Sequence, residues 1–105
     1  MTLNKMEDEM NRVKQQIFEL GNMRPGSLTR QMRKAKEKYG AYWQLSYTYR
    51  GKGKTEYIRD AFVGQVKTET ANFKRYRKLT DRLIELSIKL SRLKMDAGKK
   101  ASQRS

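Results

Sequence analysis

Cysteine and histidine are both absent from this sequence of 105 residues. Without cysteine, disulfides and thiolate metal sites cannot form, and without histidine the usual zinc ligand and the commonest general base are missing. Carboxylates are few, and Glu69, Asp81 and Glu85 lie beside basic neighbours on a predicted helix. No serine or lysine has a recognisable base partner. We therefore expect no metal, no cofactor and no enzymatic activity.

Long apolar runs are absent as well. No stretch approaches the ~20 apolar residues that span a bilayer, and residues 1–10 are polar and contain acids, unlike a secretory signal. We expect a cytoplasmic protein, associated with the nucleoid if it binds DNA. The length fits one domain, predicted over residues 1–97, followed by a basic, flexible tail over residues 98–105.

Positive charge is the strongest feature present. Twenty-five Lys and Arg stand against eleven Asp and Glu, for a net charge of +14. Residues 1–22 carry a net charge of −1, residues 23–60 carry +7 and residues 61–105 carry +8. A compact protein in which so many positive charges repel one another is typical of proteins that bind a polyanion. The basic surface begins after Asn22, so the first segment is expected to serve assembly.

Two segments have the apolar periodicity of helices. The first helix, predicted over residues 2–20, has a heptad seam with spacings of three and four, formed by Leu3, Met6, Met10, Val13, Ile17 and Leu20. The second, predicted over residues 61–97, repeats this spacing at Leu79, Leu83, Leu86, Leu90 and Leu93. The matching seams predict that the two helices pair, or that a homodimer forms through Leu83, Leu86, Leu90 and the first seam.

Between the helices lies a predicted three-stranded antiparallel sheet, over residues 27–59. Pro25-Gly26 predicts a turn, and the first strand begins at Ser27. Residues 41–49 alternate strictly, with Trp43, Leu45, Tyr47 and Tyr49 on a core face and Tyr42, Gln44, Ser46, Thr48 and the following Arg50 on a polar face. Residues 50–54 form a glycine-rich turn before the last strand. The fold class is therefore α+β.

The polar sheet face is the candidate binding surface. A β-ribbon fits the major groove of DNA, where Gln and Arg bond to base edges while Lys and Arg on the rim hold phosphates. The predicted contacts on and around the sheet are Arg30, Arg33, Lys34, Gln44, Ser46, Thr48, Arg50, Lys52 and Lys54. A basic band on the second helix, predicted to line the phosphate backbone, comprises Lys74, Arg75, Arg77, Lys78 and Arg82.

Two other interpretations of the same residues stay open. The tyrosines and cations would also suit structured RNA with looped bases, as in a component of a ribonucleoprotein. The heptad seams with a basic surface would also suit a coiled-coil assembly adaptor that binds an acidic protein. We favour nucleic acid over the adaptor, and DNA over RNA.

The order of short motifs resembles a family of small prokaryotic proteins associated with mobile elements and transposases. The motifs are Met23-Arg24-Pro25-Gly26-Ser27-Leu28, Gly40-Ala41-Tyr42-Trp43-Gln44-Leu45-Ser46-Tyr47, Gly51-Lys52, Phe73-Lys74-Arg75-Tyr76 and Leu83-Ile84-Glu85-Leu86-Ser87-Ile88. That family carries a cysteine cluster where this chain has residues 29–40, so a zinc site is not implied here. Three strands followed by a helix are also similar to DNA-binding domains of tyrosine recombinases, whose sheet enters the major groove.

Overall fold

The computed structural model describes residues 2–32 and 41–103. Its elements are helix α1 (Leu3–Phe18), strands β1 (Ser27–Met32), β2 (Ala41–Tyr49) and β3 (Lys52–Ile58), a 3-10 turn (Asp60–Phe62) and helix α2 (Val63–Gln103). The predicted α+β class and the predicted order of helix, three strands and long helix are confirmed. Contacts within the chain divide it into two compact units. Unit 1 contains α1 and the part of α2 from Tyr76 onward, and unit 2 contains residues 21–75 with the sheet.

The predicted pairing of the two helices forms unit 1. The buried residues of its core are Met6, Val13, Leu86 and Leu90, with Met10, Ile17, Leu79 and Leu83 packed around them. These are central heptad positions of both helices, so the middle of each seam is buried by the other, whereas the end positions Leu3 and Leu93 are exposed. The N-terminus of α1 is capped by Thr2, whose hydroxyl accepts a hydrogen bond from the backbone N–H of Lys5.

The leucines named above as homodimer contacts thus pack against α1 of the same chain. Leu86 is 1% exposed and Leu90 is 8% exposed. A dimer formed through these leucines would have to displace α1, which already buries them.

In unit 2 the sheet has the strand order β1-β2-β3, with both pairs antiparallel. β2 and β3 are joined by the two residues Arg50 and Gly51, with φ of 52° and 77°. Positive φ at both central positions is typical of the type I′ turn, whose twist matches that of the flanking strands. The turn is therefore shorter than the predicted residues 50–54, and Lys52, Gly53 and Lys54 belong to β3.

The core of unit 2 lies between one face of the sheet and the first turns of α2. Leu45, Ile58 and Val66 are buried there. Leu28, Trp43, Tyr47 and Val63 pack around them, so Trp43 and Tyr47 belong to the core face as predicted. The segment before β1 is bonded to α2, because Arg24 donates its backbone N–H to the carbonyl of Glu69 at 3.2 Å and the Asn72 amide donates to the Asn22 carbonyl at 2.9 Å.

The bounds of α2 differ from the prediction at both ends. The 3-10 turn over Asp60–Phe62 delays its start to Val63. At the other end the helix continues through Gly98 to Gln103, where a tail had been predicted from residue 98. One glycine inside a helix costs only about 1 kcal/mol relative to alanine, and by itself it does not end the helix.

Candidate nucleic-acid interface

The face of the sheet that points away from the core, called here the outer face, carries no charged side chain from the described strands. Directly opposed residues of an antiparallel pair share a face, and neighbours along a strand alternate. Gln44 opposes Thr29 and Tyr57, and Ser46 opposes Ser27 and Thr55. By this register the outer face comprises Ser27, Thr29, Gln31, Tyr42, Gln44, Ser46, Thr48, Gly53, Thr55 and Tyr57. It is a neutral surface of hydroxyl groups, amides and two phenol rings.

The charged strand residues lie on the opposite, helix-side face. Arg30 opposes Trp43, Lys54 opposes Tyr47 and Lys52 opposes Tyr49. Arg30, Lys52 and Lys54 are predicted to flank the polar face, and they occupy the two edge strands, β1 and β3, with their Cβ atoms directed away from the outer face. The predicted loop over residues 50–54 would have left both lysines outside the strand.

Arg50, predicted on the polar face, lies in the β2–β3 turn. Its guanidinium group lies over the ring of Tyr49, 5.2 Å from the ring centroid. Tyr49 belongs to the helix-side face by register but lies beyond the core, and 53% of it is exposed. Arg50 therefore extends the cationic side of the hairpin at its tip, while Gln44, Ser46 and Thr48 lie on the outer face as predicted.

Some cations of unit 2 are already engaged within the protein. Arg24 forms a salt bridge with Glu56, and its guanidinium group lies 5.1 Å from the centroid of the Tyr47 ring. Lys67 places its Nζ 4.9 Å from the centroid of the Trp43 ring. These contacts hold the segment before β1 and the start of α2 against the sheet. No ion pair among the described residues involves Lys52 or Lys54, both of which are exposed.

The five residues of the basic band on α2 differ in their contacts. Lys74 and Arg75, in unit 2, and Arg77 and Lys78, in unit 1, are all exposed. None of these four takes part in an ion pair within the part of the chain that the structure describes. Arg82 differs from them, and is the least available of the five for a phosphate.

Arg82 is held by two carboxylates of unit 1. Its Nε donates to Glu9 Oε1 at 3.1 Å, and its Nη1 lies 3.4 Å from Glu85 Oε2. The hydrogen bond to Glu9 raises the pKa of Arg82 above its usual value. Glu85 in turn accepts a hydrogen bond from Lys89 at 3.0 Å, which lowers the pKa of that carboxyl. Lys94, 3.8 Å from Glu7, completes a set of exposed ion pairs between and along the helices.

Two predicted site residues, Arg33 and Lys34, lie outside the described residues. Sequence reasoning also missed outer-face residues, among them Thr55 and Tyr57. Placing the β2–β3 turn at Arg50 and Gly51 would have identified them, because this turn sets Gln44 opposite Tyr57 and Ser46 opposite Thr55.

The two phenol rings of the outer face are in contact. The ring centroids of Tyr42 and Tyr57 are 6.1 Å apart, with an angle of 37° between the planes. Tyr57 is 61% exposed, whereas Tyr42 is partly buried. The pair places an apolar, aromatic surface beside Gln44, and its exposed part is the ring of Tyr57.

Over residues 2–32 and 41–103, no group of three or more Asp and Glu side chains has the arrangement of a metal site. Within the same residues, no helix has the length and apolar character needed to cross a membrane. Comparison with known proteins gave no match to a family model, a curated protein or a solved structure. The resemblance to proteins of mobile elements therefore stays a prediction.

Proposed function

We propose that this protein binds DNA with the outer face of its sheet in the major groove. The observation that carries the proposal is the separation of neutral and cationic side chains by the sheet. Every charged residue of the described strands lies on the helix-side face, and the outer face offers only uncharged hydrogen-bonding groups and rings. Uncharged hydrogen-bonding groups can bond to base edges, and cations bind phosphates.

The dimensions of the sheet support this arrangement. With neighbouring strands ~4.8 Å apart, the axes of β1 and β3 are about 10 Å apart, and the major groove is about 12 Å wide and 8.5 Å deep. A sheet on the floor of such a groove has the phosphate walls beside its edge strands. Arg30 on β1 and Lys52 and Lys54 on β3 belong to those edges. Their long side chains, directed away from the floor, reach toward the level of the phosphates.

Other considerations also favour DNA. The major groove of an RNA duplex is deep and narrow, so a three-stranded sheet does not fit it. The exposed cations of the α2 band supply further positive charge for a phosphate backbone. The resemblance to proteins of mobile elements supports a role at the DNA of such an element. A cytoplasmic, nucleoid-associated location would follow from this activity.

A second candidate rests on the exposed ring of Tyr57 beside Tyr42. Aromatic rings on a sheet stack on unpaired bases, in looped RNA or in single strands. The neutral outer face would serve that ligand as well. The two functions are distinguished by whether the protein prefers duplex DNA to single strands of the same sequence.

The proposal is tested by fluorescence anisotropy of a labelled duplex, titrated with the protein between about 50 and 200 mM salt. The logarithm of the association constant should fall linearly with the logarithm of salt concentration, by about 0.9 for each phosphate neutralised. Replacing Lys52→Ala together with Lys54→Ala should reduce the slope by about one for each lysine that contacts a phosphate.

The matched control is the double substitution Lys89→Ala with Lys94→Ala, which removes the same charge from two lysines that are paired with Glu85 and Glu7. It should change the slope much less. Equal changes in the two variants would show that β3 does not contact the phosphates. Failure of every duplex and single strand to bind at low salt would refute nucleic-acid binding and favour the adaptor for an acidic protein.

A further inference from the structure

Gln44 lies at the centre of the outer face and is partly buried. It is on the middle strand, between Thr29 of β1 and Tyr57 of β3. The neighbouring polar groups are bonded to each other, since the Gln31 amide donates to the Thr29 hydroxyl at 3.1 Å and that hydroxyl donates to the Gln44 backbone carbonyl at 3.4 Å. No hydrogen bond within the described residues uses the Gln44 side chain, which leaves its donor and its acceptor for a ligand.

The outer face also lacks the groups that best recognise G·C pairs. Guanine presents two acceptors that are read by Arg or Lys, and cytosine presents an amino group that is read by Asp or Glu. None of these four residue types lies on the outer face of the described strands. Adenine presents an acceptor at N7 and a donor at N6, which together match one Gln amide.

The exposed ring of Tyr57 offers an apolar surface beside Gln44. Its Cα opposes that of Gln44, and side chains so opposed have Cβ atoms ~5 Å apart. In the major groove, the C5 methyl group of thymine is the apolar group that distinguishes thymine from cytosine. An exposed ring next to an unbonded amide therefore places an apolar surface beside a paired donor and acceptor.

We propose that the outer face recognises A·T base pairs, with the Gln44 amide bonded to adenine N6 and N7 and the Tyr57 ring against the methyl group of thymine. This inference rests on the proposed binding of DNA in the major groove, and it names the bases that the surface selects. Tyr42 supports the Tyr57 ring from the neighbouring strand, with its ring centroid 6.1 Å away.

The first test compares labelled duplexes of equal length that differ only in their central base pairs. The full chain should bind an A·T centre at least about tenfold more tightly than a G·C centre, since one well-formed bidentate pair discriminates by roughly this much. Replacing the central thymines by uracil removes only the methyl groups, and replacing the adenines by 7-deazaadenine removes only N7. Each replacement should weaken binding severalfold.

The second test links each base atom to its residue. Gln44→Ala should abolish the effect of 7-deazaadenine and keep the effect of uracil, whereas Tyr57→Ala should do the reverse. Tyr57→Phe keeps the ring and should behave as the unmodified protein. Gln16→Ala, which removes an exposed glutamine of α1, is the control for loss of a glutamine side chain outside the proposed contact.

The outcomes separate this inference from the function on which it rests. Salt-dependent binding of all duplexes with equal affinity, or tighter binding of the G·C centre, would overturn the recognition of A·T pairs and leave DNA binding intact. Tighter binding of the single strand than of the duplex would overturn both, in favour of stacking on unpaired bases. If replacing thymine by uracil leaves the affinity of the unmodified protein unchanged, Tyr57 does not contact the methyl group of thymine.

Discussion

At the scale of single residues, two backbone conformations determine how the sheet is built. Arg50 takes a φ of 52° in the turn between β2 and β3, a conformation that a non-glycine residue adopts less readily than Gly51 beside it. This tight turn brings Lys52 into the strand and sets the register that puts Gln44 opposite Tyr57. The sequence predicts a turn here from its glycines, but Gly51 and Gly53 offer two equally plausible places for it. The two places differ in whether Lys52 and Lys54 belong to the turn or to β3.

Gly26, before β1, is the second such residue. Its φ is 131°, and a Cβ atom added there would lie 2.9 Å from Leu45 Cδ1 and 2.9 Å from the Ser46 carbonyl oxygen. Leu45 is the fully buried centre of the core of unit 2, and Ser46 is in the middle strand. The chain therefore requires a residue without a side chain where it enters the sheet.

We expect Gly26→Ala to lower the free energy of unfolding by about 1–3 kcal/mol, the usual cost of an unfavourable backbone conformation. The measurement is urea unfolding followed by the fluorescence of Trp43, the only tryptophan, which packs against the core of unit 2. Gly53→Ala is the control, since a Cβ at Gly53 meets nothing within 4 Å. An equal unfolding midpoint for the two variants would contradict the role given to Gly26.

At the scale of elements, the apolar patterns predicted the helices and their partners. The spacing of three and four in α1 and α2 identified the residues of the core of unit 1. Each helix must repeat its apolar residues at that spacing to keep one narrow seam against its partner. The strict alternation of β2 identified its two faces for the same kind of reason. The end of α2 was not predictable in this way, because residues beyond Leu93 lack the apolar stripe and only the single Gly98 interrupts the helical residues.

Substitutions on opposite sides of α2 test the packing of unit 1. Leu86→Ala should lower the free energy of unfolding by about 2–5 kcal/mol, because it removes a side chain that is 1% exposed and leaves a cavity against α1. Ile84→Ala, two residues away and 56% exposed, should change it by no more than about 0.5 kcal/mol. Thermal unfolding followed by circular dichroism at the helix band measures both. Similar losses would indicate that Ile84 is also covered, as it would be in an oligomer.

At the scale of the whole molecule, both units carry net positive charge, and unit 2 carries more of it. Residues 21–75, the range of unit 2, hold thirteen Lys and Arg against four Asp and Glu, whereas residues 1–20 and 76–105, the range of unit 1, hold twelve against seven. Three acids of unit 1, Glu7, Glu9 and Glu85, are in ion pairs. The long-range attraction of a polyanion depends on net charge. The salt slope, which is the change of the logarithm of the association constant with the logarithm of salt concentration, depends on which cations contact phosphates.

Two double substitutions separate the effect of net charge from the effect of position. Lys74→Ala with Lys78→Ala and Lys5→Ala with Lys14→Ala each lower the net charge of +14 by two, and all four lysines are exposed. If the α2 band contacts the phosphate backbone of DNA, the first pair should lower the salt slope by up to about two. It should also weaken binding to A·T and G·C duplexes by the same factor, because phosphates carry no sequence information. The second pair, on α1, should leave the slope unchanged. Anisotropy titrations over a range of salt concentrations measure both. Equal weakening by the two pairs would mean that net charge alone attracts DNA and that the α2 band makes no direct contact.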